Sequence, residues 1–397
     1  MHNYEQFSRN ADIAIRERLS DATELNLGIA AHPETGGNEH FACAAHTEFL
    51  RHAGFMVETP FCGIPTAFCA TAGSGFPVVA LLAEYDALPL IGHGCGHCLH
   101  GSMSSLAGAA LLPLMAELGG TLRVVGTPAE ETNGAKVTMA KMGVFDDAAL
   151  AVMIHCNDVT SFVRYRSLAM DAPEFTFTGM TAHAAGAPWE GRNALNGATL
   201  FLHAMDMLRQ HVRPEIRMHG VITDGGTAPN IVPDRAVVRC YARAPERTQL
   251  DALMKRIDRC ASGAAMATET DVSRRLVEFS FDDTKPNEPA ETMMESVFSE
   301  LGVPIVPAPG PIGSSDVGNV SHCCPALQPH LAITDVPTPH HTRQFAVASS
   351  AASSGKALEL GARILARAAL RVFLDRDLCE ALQKDYRGAG SRIPRMP

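Results

Sequence analysis

A chain of 397 residues exceeds what one hydrophobic core usually organises, so about two domains are expected, and 46% hydrophobic with 19% charged residues is the composition of an ordinary globular protein. A formal net charge of −10 with no basic stripe argues against a nucleic-acid or anionic-membrane surface, because phosphates would be repelled. No stretch approaches the roughly 20 apolar residues of a membrane helix, the start Met1-His2-Asn3-Tyr4-Glu5 lacks a signal-peptide layout, and eleven irregularly spaced cysteines point to reduced thiols, so a cytoplasmic address is expected.

Helical and extended signals alternate along the opening third. Residues 42–51 have helical composition and stop before His52-Ala53-Gly54. Residues 77–82 read as a buried strand, and 102–118, rich in Ala, Leu and Met, as a helix. Two further apolar runs of strand length, 121–126 and 148–154, flank a helical segment near 137–142. This β-α-β-α-β order predicts an α/β fold, a mostly parallel sheet with helices on both faces. Ligands of such sheets sit beyond the carboxyl ends of the strands, and Cys95, Glu130, Glu131 and His155 all follow such ends. From about Asp171 the pattern changes to strand 174–179, helix 193–212, strands near 218–223 and 236–244, helix 248–266 and strand 275–282. That order is the split ferredoxin-like α+β unit. After Lys285-Pro286-Asn287 the first pattern returns, with a loop around 303–313 and a long Ala-rich helical tract over 345–385. The expected organisation is a discontinuous catalytic domain, 1–170 and 286–397, interrupted by an inserted domain over 171–285.

The side chains that carry chemistry are spread over both parts. In Ile91-Gly92-His93-Gly94-Cys95-Gly96-His97-Cys98, a thiolate can bridge two cations while the imidazole two positions on reaches one of them, if the glycines allow a tight turn. Cys95 and Cys98 also spell a dithiol redox motif ahead of a helix, which leaves an oxidoreductase as the alternative class. Glu130 and Glu131 are adjacent carboxylates that repel unless a cation stabilises them; one can ligate metal while the other serves as general base. His155 closes an apolar run, and one of His340 and His341 is expected to bind metal. His183 can donate to an oxyanion, and it reaches the other clusters only if two chains pair through their inserted domains. Asn230 and Arg243 are polar candidates for gripping a substrate, and Asp86 can orient a metal-ligating histidine.

At Glu84-Tyr85-Asp86-Ala87-Leu88-Pro89, Gly92-His93-Gly94-Cys95-Gly96-His97, Thr127-Pro128-Ala129-Glu130-Glu131, Ala182-His183-Ala184-Ala185 and Ala228-Pro229-Asn230-Ile231-Val232-Pro233-Asp234 the chain resembles a known family. This is the di-metal amidohydrolase and metallopeptidase family of aminoacylases, hippurate hydrolases and acetylornithine deacetylases. The branch it is most similar to is that of aminobenzoyl-glutamate hydrolase and β-alanyl dipeptidase. The resemblance implies a zinc-peptidase-like catalytic domain with two divalent ions per chain, Mn²⁺ or Zn²⁺. It implies Cys95 as bridging ligand, His97 and His155 at one ion, and Glu131 with His341 at the other, His341-Thr342-Arg343-Gln344-Phe345 being similar to the branch's His-Thr-x-x-Phe pattern. Glu130 becomes the base, His183 the donor from a partner chain, Asn230 and Arg243 substrate contacts, and the inserted domain a lid through which a homodimer forms. Three positions depart from the family pattern: Glu84 stands where relatives outside this branch often have His, Cys98 where Asn is usual, and His100 where an aliphatic residue is usual.

The expected function is metal-dependent hydrolysis, by activated water, of the amide of a small N-acyl or N-aroyl amino acid or dipeptide-like compound. Cleavage of another C–N bond, such as that of an aryl amine, is the alternative on the same scaffold.

Overall fold

The computed structural model describes residues 2–388. Two units emerge: Met1–Arg166 with Thr284–Gly310 and Asp316–Pro397, and Ser167–Asp283 with Pro311–Ser315. The loop 311–315 thus belongs with the inserted segment, not with the 286–397 stretch that carries it in the sequence reading.

In the first unit, the strand Val78–Ala83 is buried at every position, as its unbroken apolar run requires of a sheet covered on both faces. It lies in a six-stranded sheet of order Met56–Glu58, Phe68–Ser74, Gly120–Gly126, Val78–Ala83, Leu150–Val152, Ala326–Leu327. The last three pairings are parallel and the first two antiparallel, so the sheet is mixed. The two antiparallel strands at this side of the sheet escape the sequence reading because one has three residues and the other, rich in small and polar residues, carries no clear alternation. The carboxyl ends of Val78–Ala83, Gly120–Gly126 and Leu150–Val152 deliver Asp86, Glu130, Glu131 and His155 to one end of the sheet.

Other expectations need correcting. The 148–154 run stops pairing at Val152, and His155 opens a separate short strand, His155–Asn157, parallel to His330–Ala332. A 30-residue helix α1 (His2–Ala31) was not anticipated, although Phe7, Ala11, Ile15, Ala22, Leu25 and Ile29 form its buried stripe at helical spacing. After α2 (His40–Ala53), helix α3 (His97–Leu111) starts five residues before the expected position and ends where a 3₁₀ turn, Leu112–Leu114, carries Pro113. Every residue of α3 is buried. Its seating is tight: a Cβ on Gly101 would lie 2.4 Å from the Glu84 carbonyl oxygen. With its continuation, His97–Leu118 is long and apolar enough to cross a membrane, contrary to the sequence reading, but 89% of its apolar window is buried inside the protein. The C-terminal tract is three helices rather than one, Arg343–Ser350, Gly355–Leu374 and Arg376–Gly388. Ser349 and Ser350 hydroxyls donate to the Ala346 carbonyl and compete with the helical ladder at the first break. Asp375 is extended at the second, its carboxylate accepting the Leu378 N–H.

In the second unit, Asp271–Leu276, Pro173–Thr178, Arg235–Ala244 and Arg217–Asp224 lie side by side, all antiparallel, which is the split βαββαβ arrangement. The helices Ala194–Arg209 and Arg247–Ala267 close one core with Phe175, Phe177, Phe201 and Ile257. An additional short strand, Ala169–Asp171, pairs with the end of Arg235–Ala244. The expected 275–282 strand runs instead over Asp271–Leu276; beyond it the chain bends until Phe281 bridges Met170.

Candidate metal centre

Cys95 sits at the tip of a loop that Gly96, with φ +86, turns directly into the N-terminus of α3, where His97 is the first helical residue. His97 Nδ1 lies 2.8 Å from Asp86 Oδ1. With the proton on Nδ1 donated to that carboxylate, Nε2 is left as a lone-pair donor. His155 is fixed the same way: Nδ1 bonds the Cys156 carbonyl at 2.7 Å, and Nε2 faces Cys95 Sγ at 3.5 Å. Asp86 acts twice, since its Oδ2 accepts the backbone N–H of Glu131 at 3.0 Å. Glu131 Oε1 then lies 3.5 Å from His341 Nε2 and 3.9 Å from His97 Nε2. Glu130 Oε2 is 4.0 Å from His97 Nε2.

The two adjacent histidines separate cleanly. His341 has φ +60, a left-handed conformation His tolerates better than most residues, and its N–H donates to the Gly94 carbonyl at 2.8 Å. That turn puts its ring on Glu131, whereas His340 Nε2 meets Asn157 Oδ1 at 3.1 Å and its ring lies tilted against Phe345 and parallel to His155.

Donor atoms of Cys95, His97 and His155 lie within 4.8 Å of one another, and so do those of Cys95, Glu131 and His341. Cys95 belongs to both groups. Two buried atoms aimed into this space, His97 Nε2 and Glu131 Oε1, have no hydrogen-bond partner. Burial, with Glu131 beside it, pushes the Cys95 thiol well up, so a thiolate there needs a cation. Burial works to lower the His97 pKa, but Asp86 and Cys95 more than offset it and hold it well above the usual histidine range. His155 is held well below the usual histidine range by burial and by His100, His330 and His340. The donor set of thiolate, imidazole and carboxylate therefore fits a pair of divalent cations.

Four further residues lie behind this cluster: Glu84 and His100, noted in the sequence as departures from the family pattern, and Lys136 and Asp316, which the sequence did not single out. Glu84, His100, Lys136 and Asp316 are all fully buried. Lys136 Nζ donates to Glu84 Oε1 at 2.7 Å and Asp316 Oδ1 at 2.6 Å. His100 Nε2 accepts the Cys156 N–H at 2.8 Å, so Nδ1 carries the proton and donates to Glu84 Oε2 at 3.0 Å. Burial alone would raise the Glu84 carboxyl, yet Lys136 and His100 hold it well below the usual range. The one local signal for Lys136 is a charge in the first turn of the largely buried helix Ala135–Lys141, and Asp316 has none. Carboxylate oxygens of Glu84, Glu130 and Asp316 lie within 4.8 Å of one another, and burial followed by Glu84, Glu131 and Asp316 pushes Glu130 well above the usual carboxylate range. Replacing Lys136 by Met, which removes the ammonium shared by two buried carboxylates, is expected to destabilise the first unit by about 3–5 kcal/mol. The urea midpoint reports it, and an unchanged midpoint would show that Lys136 is not what holds these carboxylates.

The dithiol alternative finds no support. All eleven cysteines are free. Cys98 Sγ turns to Ser349 Oγ at 3.8 Å, and burial pushes its thiol up to about 12, the reverse of what exchange chemistry requires.

His183, Asn230 and Arg243 belong to the second unit. The His183 segment runs beside Asn230: Ala184 N–H donates to the Asn230 carbonyl, and His183 bridges Ile231. His183 Nδ1 accepts the N–H groups of Ala185 and Gly186 at 3.2 and 3.0 Å, so the exposed Nε2 carries the proton of the neutral ring. Arg243 lies on the central strand, its guanidinium over the Tyr241 ring and its Nε without a hydrogen-bond partner.

A family model described as a peptidase dimerisation domain matches residues 173–269. Over 394 residues the chain is 32% identical to the Xaa-Arg dipeptidase of Mus musculus, covering 94% of this chain and 91% of that protein. It is 30% identical to one of the p-aminobenzoyl-glutamate hydrolase polypeptides of Escherichia coli K12, covering 97% of this chain and 95% of that one. The fold is similar to that of a dinuclear metal-binding peptidase of the M20 family from Bacillus subtilis, with a TM-score of 0.69 at 17% identity, over 91% of this chain and 99% of the other.

Proposed function

The chain belongs to the M20 family of peptidases and amidohydrolases, and on that premise we propose that it hydrolyses the amide of an N-acyl or N-aroyl amino acid, or of a dipeptide-like compound, at the Cys95 cluster. The observation that carries this reading is Cys95 shared between two donor groups, with the unpartnered His97 Nε2 and Glu131 Oε1 facing the space between them. Cys95, His97 and His155 would hold one ion, and Cys95, Glu131 and His341 the other. When bound, two ions such as Mn²⁺ or Zn²⁺ supply Lewis acidity that acidifies a water molecule and polarises the scissile carbonyl.

The chain's own residues do the rest. Glu130 is poised above the usual carboxylate range, where it can take a proton from the attacking water and return it to the departing amine. Asp86 keeps His97 in the ligating tautomer and pins the Glu131 backbone with the same carboxylate. His183 Nε2–H is a donor suited to the oxygen on which negative charge develops, supplied by the second chain of a homodimer formed through the inserted unit, with which the dimerisation-domain match is consistent. Asn230 and Arg243 would hold the amino-acid half, Arg243 offering an Nε with no competing partner to a carboxylate. The dipeptide and aroyl-glutamate activities in the two relatives' names support the substrate class. Eleven free thiols support a reducing, cytoplasmic setting.

Dialysis against a strong chelator is expected to abolish amide cleavage, and Mn²⁺ or Zn²⁺ to restore it as metal analysis climbs towards two ions per chain. Cleavage that persists in metal-free protein would sink the proposal. A panel of N-acyl amino acids, aroyl-glutamates and dipeptides, assayed under both metals, then reads the substrate.

A further inference from the structure

Glu39 occupies the N-cap position of α2, where a carboxylate ordinarily serves the first turn of its own helix. It makes no such bond. Glu34 caps instead, its two carboxylate oxygens accepting the N–H groups of Phe41 and Ala42 at 3.0 Å each. Glu39 is thereby released into the interior, where it is fully buried and its Oε1 accepts the backbone N–H of Ala129, 90 positions away, at 2.8 Å.

Ala129 is the residue before the proposed base, and it is strained. Its φ of +62 is a left-handed value that a residue with a Cβ adopts only when its surroundings impose it. Its carbonyl is held by Thr132 and Gly134 N–H groups at 3.1 and 2.7 Å. Gly36, three residues before Glu39, packs so closely on this turn that an added Cβ would lie 3.1 Å from Ala129 Cα. Two buried carboxylates thus grip the turn on either side of Glu130, Glu39 at the N–H of residue 129 and Asp86 at the N–H of residue 131. Holding them there costs: burial, then the Asp86 charge, pushes Glu39 up to about 7.

We infer that Glu39 is a positioning residue for the hydrolysis: by clamping the N–H of Ala129 it fixes the strained turn that aims the Glu130 carboxylate. The inference rests on the reading of Glu130 as the base. It assigns Glu39 no contact with substrate or metal, so its loss should misplace the base and leave binding alone.

The test compares Glu39→Ala, Glu39→Gln and Glu130→Gln in the metal-loaded enzyme. Because a displacement of about 1 Å can cost about a hundredfold, Glu39→Ala is expected to lower kcat by about 10- to 100-fold with KM, metal content and the thermal unfolding midpoint little changed. Glu39→Gln keeps a carbonyl oxygen to accept the same N–H and should recover most of that kcat. Wild-type kcat in Glu39→Ala, a loss of kcat that tracks loss of metal or of folded protein, or a Gln variant as impaired as the Ala variant would each overturn the inference. An active Glu130→Gln enzyme would instead remove the base assignment itself, so the two failures are distinguishable.

Discussion

Glu130→Gln is expected to lower kcat by about 10²- to 10⁴-fold while leaving the metal content intact. The substitution preserves shape and one hydrogen-bonding oxygen and removes only the capacity to take up a proton. Glu130 is placed for that task because it is not in either of the two donor groups that share Cys95, while burial, then the Glu84, Glu131 and Asp316 carboxylates, raises its affinity for a proton above that of an ordinary carboxylate. Metal analysis beside single-turnover kinetics separates a missing base from a missing ion: a variant that loses both would place Glu130 among the ligands. A Gln variant that turns over at the wild-type rate would transfer the proton-handling role elsewhere.

His183→Ala is expected to cost about 10²- to 10³-fold in kcat, the size of losing one preorganised donor to a developing oxyanion. The more telling result is complementation. If the donor comes from the partner chain, mixing His183→Ala with Glu130→Gln protein under conditions that let chains exchange gives heterodimers in which one composite site has both residues. With equal mixing, half of the dimers are mixed and one of their two sites is whole, so about a quarter of the wild-type activity is expected. No recovery, with exchange demonstrated by differently tagged chains, would eliminate the contribution in trans.

Much of this site was legible in the chain because its chemistry is local to short motifs. Asp86, Cys95, His97, Glu130, Glu131 and His155 each follow an apolar run of strand length, and residues beyond the carboxyl ends of such strands gather at one end of a sheet. The second unit was legible for a similar reason, since its two amphipathic helices and alternating strands have clear periods. What escaped were elements whose signal is weak over any short window. Helix α1 buries only a thin stripe along 30 residues, and the antiparallel strands Met56–Glu58 and Phe68–Ser74 are short or rich in small residues. The C-terminal tract, uniformly helical in composition, is broken by serine hydroxyls and an aspartate whose side chains bond the backbone, an effect that composition does not register.

By itself the sequence determined which residue types could hold metal and move protons, and which strands would carry them, because these depend on side-chain chemistry and local hydrophobic pattern. The residues alone left His340 and His341 open and the family resemblance implied His341; the tertiary structure supplied the physical reason, since a left-handed backbone at residue 341 brings one ring to Glu131 and leaves the other on Asn157. It also decided that Lys136 lies between Glu84 and Asp316, and that Glu39 abandons its own helix to hold Ala129. These partners are separated by 52, 180 and 90 positions, and a buried charge takes whatever compensating group the folded chain brings within about 3 Å, which no local pattern encodes.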